Sequence, residues 1–131
     1  MSSTMSRDML IEIPGLVPQG GKRGGMVGVF ALPDYPAPKT LAIVWPSDEF
    51  GGWWINNIKV LPELWGQGLG RRMLMAILDA ADQQGQRLAL AVEPDKWEGL
   101  DYDQLFAWYG RHGFVEVPEY DGFTLQRDIA A

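Results

Sequence analysis

The sequence predicts a single mixed α/β domain, residues 1–131, with the element order β-β-β-β-α-β-α-β-β. Three observations carry that reading. A hydrophobic run from Trp54 to Leu61 ends at Pro62, crosses the alternating glycines Gly66, Gly68 and Gly70, and enters an apolar stripe at helical spacing through Leu69, Met73, Ile77, Leu78 and Ala81. Short apolar runs rich in β-branched and aromatic residues lie on both sides of this strand–loop–helix unit. A length of 131 residues with 47% hydrophobic and 21% charged side chains suits one globular domain with a core of ordinary size.

Residues 1–7 are small and polar and are expected to fray. Met9 to Ile13 reads as the first strand, closed by Pro14 and Gly15. Pro18 to Gly25 holds four glycines around Lys22 and Arg23 and reads as a loop, whose two cations are either solvated or hold an acceptor or a phosphate. Met26 to Leu32 and Thr40 to Trp45 form a hairpin around the proline-rich turn Pro33 to Pro38, and Pro46 to Gly52 is the next turn. Trp53 to Leu61 is the fourth strand. Regular alternation puts Trp54, Asn56, Ile58 and Val60 on one face and Trp53, Ile55, Asn57 and Lys59 on the other.

The helix after the glycines runs from Leu69 to Gln84 and stops at Gly85, a residue suited to a left-handed cap. Arg87 to Val92 is the fifth strand, apolar as a strand covered on both faces should be. Pro94 to Leu100 is a loop carrying Trp97. Asp101 and Gln104 resemble a capping box that opens a helix over Tyr102 to Arg111, ended by Gly113. Phe114 to Val117 and Phe123 to Gln126 are the last strands. His112 falls at a helix carboxyl end, where positive charge is favourable.

Composition removes several functions. Without cysteine there are no disulfides, thiol nucleophiles or thiolate metal ligands, and a single histidine gives no basis for a zinc site. No apolar run approaches the roughly 18 residues of a membrane span, and Met1 to Asp8 lacks a signal-peptide core, so a cytoplasmic protein without a membrane partner is expected. A net charge of −6 argues against nucleic-acid binding and suits an amine-bearing partner, though solubility alone also favours such a balance.

The glycine stretch carries the chemistry. Glycines at a helix entrance let a ligand approach the backbone, and the first N–H groups of the helix, lacking partners of their own, favour an anion such as phosphate. Arg71 and Arg72 sit where the helix dipole disfavours positive charge, with no acidic residue three or four positions on; an anionic ligand would explain both. The plain alternative is a glycine-rich turn with two solvated arginines. A Walker loop is absent, because Gly70 is followed by arginine and not by Lys-Ser or Lys-Thr, and the even spacing of Gly66, Gly68 and Gly70 is not the dinucleotide fingerprint.

This segment resembles the GCN5-related N-acetyltransferases (GNAT), whose pyrophosphate loop reads Gln/Arg-x-x-Gly-x-Gly/Ala after a Val-x-Pro. Val60-Leu61-Pro62 and Gly66-Gln67-Gly68-Leu69-Gly70 match it, while Trp65 stands at the Gln/Arg position. A second match is Tyr109, four residues before Gly113-Phe114. The resemblance implies an acyl-CoA N-acyltransferase fold with a splayed central mixed sheet, its first helices shortened or absent, and transfer of acetyl from acetyl-CoA, as co-substrate, to a primary amine by direct attack.

On that resemblance, Gln67 to Arg71 would hold the pyrophosphate through backbone N–H groups, Ile58 and Val60 the pantetheine arm, and Trp65, Gly66, Gly68, Leu69, Gly70 and Arg72 complete the cofactor loop. Tyr109 would protonate the departing thiolate. Glu93, at the end of the fifth strand, is the nearest carboxylate to serve as a base, and Asn56, Asn57 and Trp97 would border the acceptor, a small molecule or a protein. Tyr102 replaces an asparagine common in the family. A runner-up reading is a degenerate domain that binds CoA or another protein without turnover, and exposed final strands would be the place for a homodimer to pair.

Overall fold

A computed structural model describes residues 11–19, 28–47, 51–91, 102–117 and 124–128, excluding the side chains of Ser47, Asn57 and Tyr102. Within them the chain forms β1 (Val17–Pro18), β2 (Gly28–Ala31), β3 (Thr40–Ser47), β4 (Gly52–Val60), α1 (Leu69–Gln83), β5 (Arg87–Ala91), α2 (Tyr102–Gly110), β6 (Val115–Glu116) and β7 (Thr124–Arg127). The sheet has seven strands in the order β1-β2-β3-β4-β5-β7-β6. Among the described pairings β4 with β5 is the parallel one, the two strands being joined by α1, which carries the chain back to the starting edge.

The first strand is not where alternation placed it. Ile11 to Ile13 are outside any strand, while Met9 and Leu10 lie beyond the described residues. Ile13 and Leu16 are instead both buried, at 3% and 7% exposure, on either side of the Pro14–Gly15 turn. Their apolar side chains anchor that turn in the core, and pairing begins only at Val17. Pro18 is tolerated there because β1 is an edge strand. No helix occurs in residues 11–19; the loop cations Lys22 and Arg23 fall outside the described residues.

β2 and β3 form the expected hairpin. Its turn is held by the buried Thr40 hydroxyl, which accepts from Leu32 N at 3.0 Å and donates to the Tyr35 carbonyl at 2.7 Å.

β4 departs from strict alternation. Ile43 pairs with Asn57 and Val44 with Ile55, so Asn56 is an extra residue, a β-bulge opposite the Ile43–Val44 step. The bulge shifts the phase: Trp53 and Ile55 before it share the buried class with Ile58 and Val60 after it, whereas Asn56 and Lys59 are exposed. The two-face assignment from the sequence therefore holds on each side of Asn56 but not across it.

α1 lays Leu69, Met73, Leu74, Ile77, Leu78 and Ala81 into the core against β3, β4 and β5. It ends in a Schellman arrangement, with Gly85 at φ +70° and Gln86 N donating to Ala81 O at 2.8 Å. Arg127 on β7 joins three elements, making paired bonds of 2.9 and 3.0 Å to Asp82 of α1 and donating from Nε to the His112 carbonyl beyond α2.

Candidate active site

The candidate site lies where β4 outruns its neighbour. Among the described residues β5 pairs with β4 at Gly52 to Ile55, and Asn56 to Val60 have no described β5 partner. This is the splay, and the bulge at Asn56 sits where it begins. Leu61 N donates to Lys39 O at 3.0 Å, so Leu61 turns its backbone groups toward β3. In an antiparallel ladder the direction alternates, and the N–H and C=O of Ile58 and Val60 therefore face away from β3, onto the edge that β5 leaves open.

The chain then passes through a single 3-10 turn, Pro62–Leu64, into the glycines. Gly66 and Gly68 have φ of +85° and +79°, a conformation that side-chain-bearing residues rarely take. A Cβ built on either meets nothing within 4 Å, so backbone conformation and open space, not tight packing within the protein, account for both. Gly68 is the N-cap of α1 and offers no side chain to cap it. The helix ladder starts with Arg72 N donating to Gly68 O at 3.0 Å, which leaves the N–H groups of Leu69, Gly70 and Arg71 without intrahelical acceptors. Three donors at the positive end of a fifteen-residue helix suit an anion.

The two arginines separate. Arg71 is exposed and makes no ion pair with a described residue. Arg72 is engaged by Asp34, on the β2–β3 turn, through two bonds of 3.2 Å. The expectation that an anionic ligand is needed to explain both arginines is corrected for Arg72: its countercharge lies 38 positions away in sequence. The hydrogen bonds from Arg72 hold the Asp34 carboxyl below the usual carboxylate range, so this pair stays charged at neutral pH. Both partners are about half exposed, and the pair is worth little as stability.

Trp65, at the loop's first motif position, is 40% exposed, yet its indole is not free. Nε1–H donates to the Val60 carbonyl at 2.8 Å. The side chain thus folds back onto the open β4 edge, a contact that residue type and spacing did not foreshadow.

Tyr109 is on α2, 7% exposed, with its ring edge-on to Trp108 and to Phe114 at centroid distances of 5.0 and 5.4 Å. Burial raises the phenol's pKa well above its ordinary value near 10, because the charged phenolate is poorly solvated there. The hydroxyl therefore keeps its proton throughout the neutral range. His112 is a structural residue of the same helix end, its Nδ1–H donating to Trp108 O at 2.9 Å.

Asn56 is exposed at the bulge; the Asn57 and Tyr102 side chains, with Glu93, Trp97 and Asp101, fall outside the described residues. Among the described residues no group of His, Asp and Glu could hold a metal ion, and no helix is long and apolar enough to cross a membrane.

Comparison with known proteins adds the decisive observation: the acetyltransferase (GNAT) family matches residues 14–114. The chain belongs to that family. The GNAT fold is also what its structural neighbours show. Ard1 from Thermoplasma volcanium superposes with a TM-score of 0.58 at 18% identity, over 80% of this chain and 71% of its own. A GNAT family acetyltransferase from Elizabethkingia anophelis, solved with acetyl-CoA bound, gives the same TM-score and identity over 79% of this chain and 76% of its own. No curated protein matches by sequence.

Proposed function

We propose that this GNAT protein transfers the acetyl group of acetyl-CoA to a primary amine by direct attack, without an acyl-enzyme. The observation that carries the proposal is the adjacency of two sets of backbone groups: the unclaimed amides at the start of α1 and the open edge of β4. The first suits a pyrophosphate, and the second suits the amides of a pantetheine arm. One cofactor contains both groups, joined.

In this reading Gln67 to Arg71 bind the pyrophosphate by N–H donation, with Arg71 adding charge, and Ile58 and Val60 align the arm along β4. The amine lone pair attacks the thioester carbon, a C–N bond forms, and the C–S bond breaks as the carbonyl is restored. Tyr109 gives its proton to the leaving thiolate, and the nitrogen loses its extra proton to solvent or to Glu93. Asn56, Asn57 and Trp97 border the acceptor.

Incubation with acetyl-CoA and a panel of amines, read as free thiol released, tests the proposal. Turnover on at least one primary amine is expected, and Tyr109→Phe should lower kcat by about a hundredfold while acetyl-CoA still binds. Binding without turnover on any amine would support the second reading, a CoA-binding module that acts through another partner; the Trp65–Val60 contact on the arm's edge is what favours keeping it.

A further inference from the structure

Resting on the reading above, we propose that Trp65 is a displaceable plug on the cofactor edge of β4: its indole holds the Val60 carbonyl that the pantetheine arm needs, and binding of the arm requires the indole to swing out. Val60 is the last residue of β4, and its C=O faces away from β3, along an edge where no described β5 residue pairs. That carbonyl accepts the Trp65 indole N–H at 2.8 Å. An indole N–H and an amide N–H are equivalent donors to such an oxygen.

The side chain alone has to move. Trp65 N donates to Pro62 O at 3.1 Å, so the 3-10 turn fixes its backbone, while the residue is 40% exposed. Gly66 follows at φ +85° with nothing within 4 Å of its missing Cβ. Trp65 therefore acts on the arm and not on the phosphates, whose donors begin beyond Gly66.

Calorimetric titration of wild-type protein and Trp65→Phe tests this with two ligands: acetyl-CoA, which carries the arm, and adenosine 3′,5′-bisphosphate, which has phosphates but no arm. Phenylalanine keeps an aromatic ring and removes the N–H. The proposal predicts acetyl-CoA binding about fivefold tighter in Trp65→Phe, the loss of one competing hydrogen bond, with the bisphosphate unchanged.

Equal acetyl-CoA affinity in the two proteins would overturn it, since the carbonyl would then be shared or unused. Weaker binding of both ligands by the variant would overturn it too, showing that Trp65 tethers the phosphate loop. If neither protein binds acetyl-CoA, the cofactor reading falls together with the plug, an outcome distinct from the other two. Tryptophan emission supplies a second readout: acetyl-CoA should change the wild-type spectrum by a component missing from Trp65→Phe, and identical changes in both would contradict displacement.

Discussion

Burial of Tyr109 decides the fate of its proton before any substrate is considered. Its pKa is raised in the folded protein, whereas an unfolded tyrosine ionises near pH 10. The sign follows directly: the contribution to stability is intact below about pH 10 and is lost as pH rises past that value, because only the unfolded chain gains by ionising. Thermal melting followed from pH 9 to 11 should therefore fall more steeply for wild type than for Tyr109→Phe; parallel curves would show that the phenol is not shielded. At Gly66 the cost of a side chain is conformational, since a Cβ there meets nothing. Gly66→Ala should lose about 1 kcal/mol in urea unfolding through its φ of +85° alone. The glycine turn before α1 was legible in the sequence because its signal is local, a residue type at a fixed spacing. The partners of Arg72 and Trp65 were not: one is 38 positions away, and the other is a backbone carbonyl, which every residue possesses.

Among the elements, β4 is the irregular strand, and the proposed site lies along it. A bulge bends and twists its strand, and the one at Asn56 falls just past the last β4–β5 pair, Ile55 with Leu90. Removing Asn56 would restore plain alternation while keeping Trp53, Ile55, Ile58 and Val60 on a single face. Deletion of Asn56 should therefore leave a folded protein by circular dichroism but abolish acetyl-CoA binding, since a straightened β4 can pair further along β5; unchanged binding would separate the bulge from the site. The sequence reading carried regular alternation straight through Asn56 and Asn57, because a bulge is a matter of register, and register is fixed by β3, not by β4 alone. The α1 helix was readable to within a residue, since Gly68 and Gly85 punctuate it and the stripe between them has one period. The first strand was misplaced because Ile11 and Ile13 are apolar for a different reason, the anchoring of a turn.

For the whole molecule, the sheet order β1-β2-β3-β4-β5-β7-β6 places the single parallel junction near the middle, with the glycine loop and α1 leading across it. In the proposed reading that junction offers acetyl-CoA a strand edge and a helix N-terminus in one place. A net charge of −6 adds a field that favours cationic acceptors, which an amine panel ordered by charge would reveal as a preference for polyamines over neutral amines at low salt. The proposed pyrophosphate site is the glycine loop itself. Calorimetric titration of acetyl-CoA into the wild-type protein and into Gly68→Asp addresses it most directly. Aspartate tolerates positive φ better than most side chains, and here it would put a carboxylate beside the amides of α1. Binding of about micromolar strength by the wild type and none by the variant is expected. Equal binding by both, or none by the wild type, would contradict it.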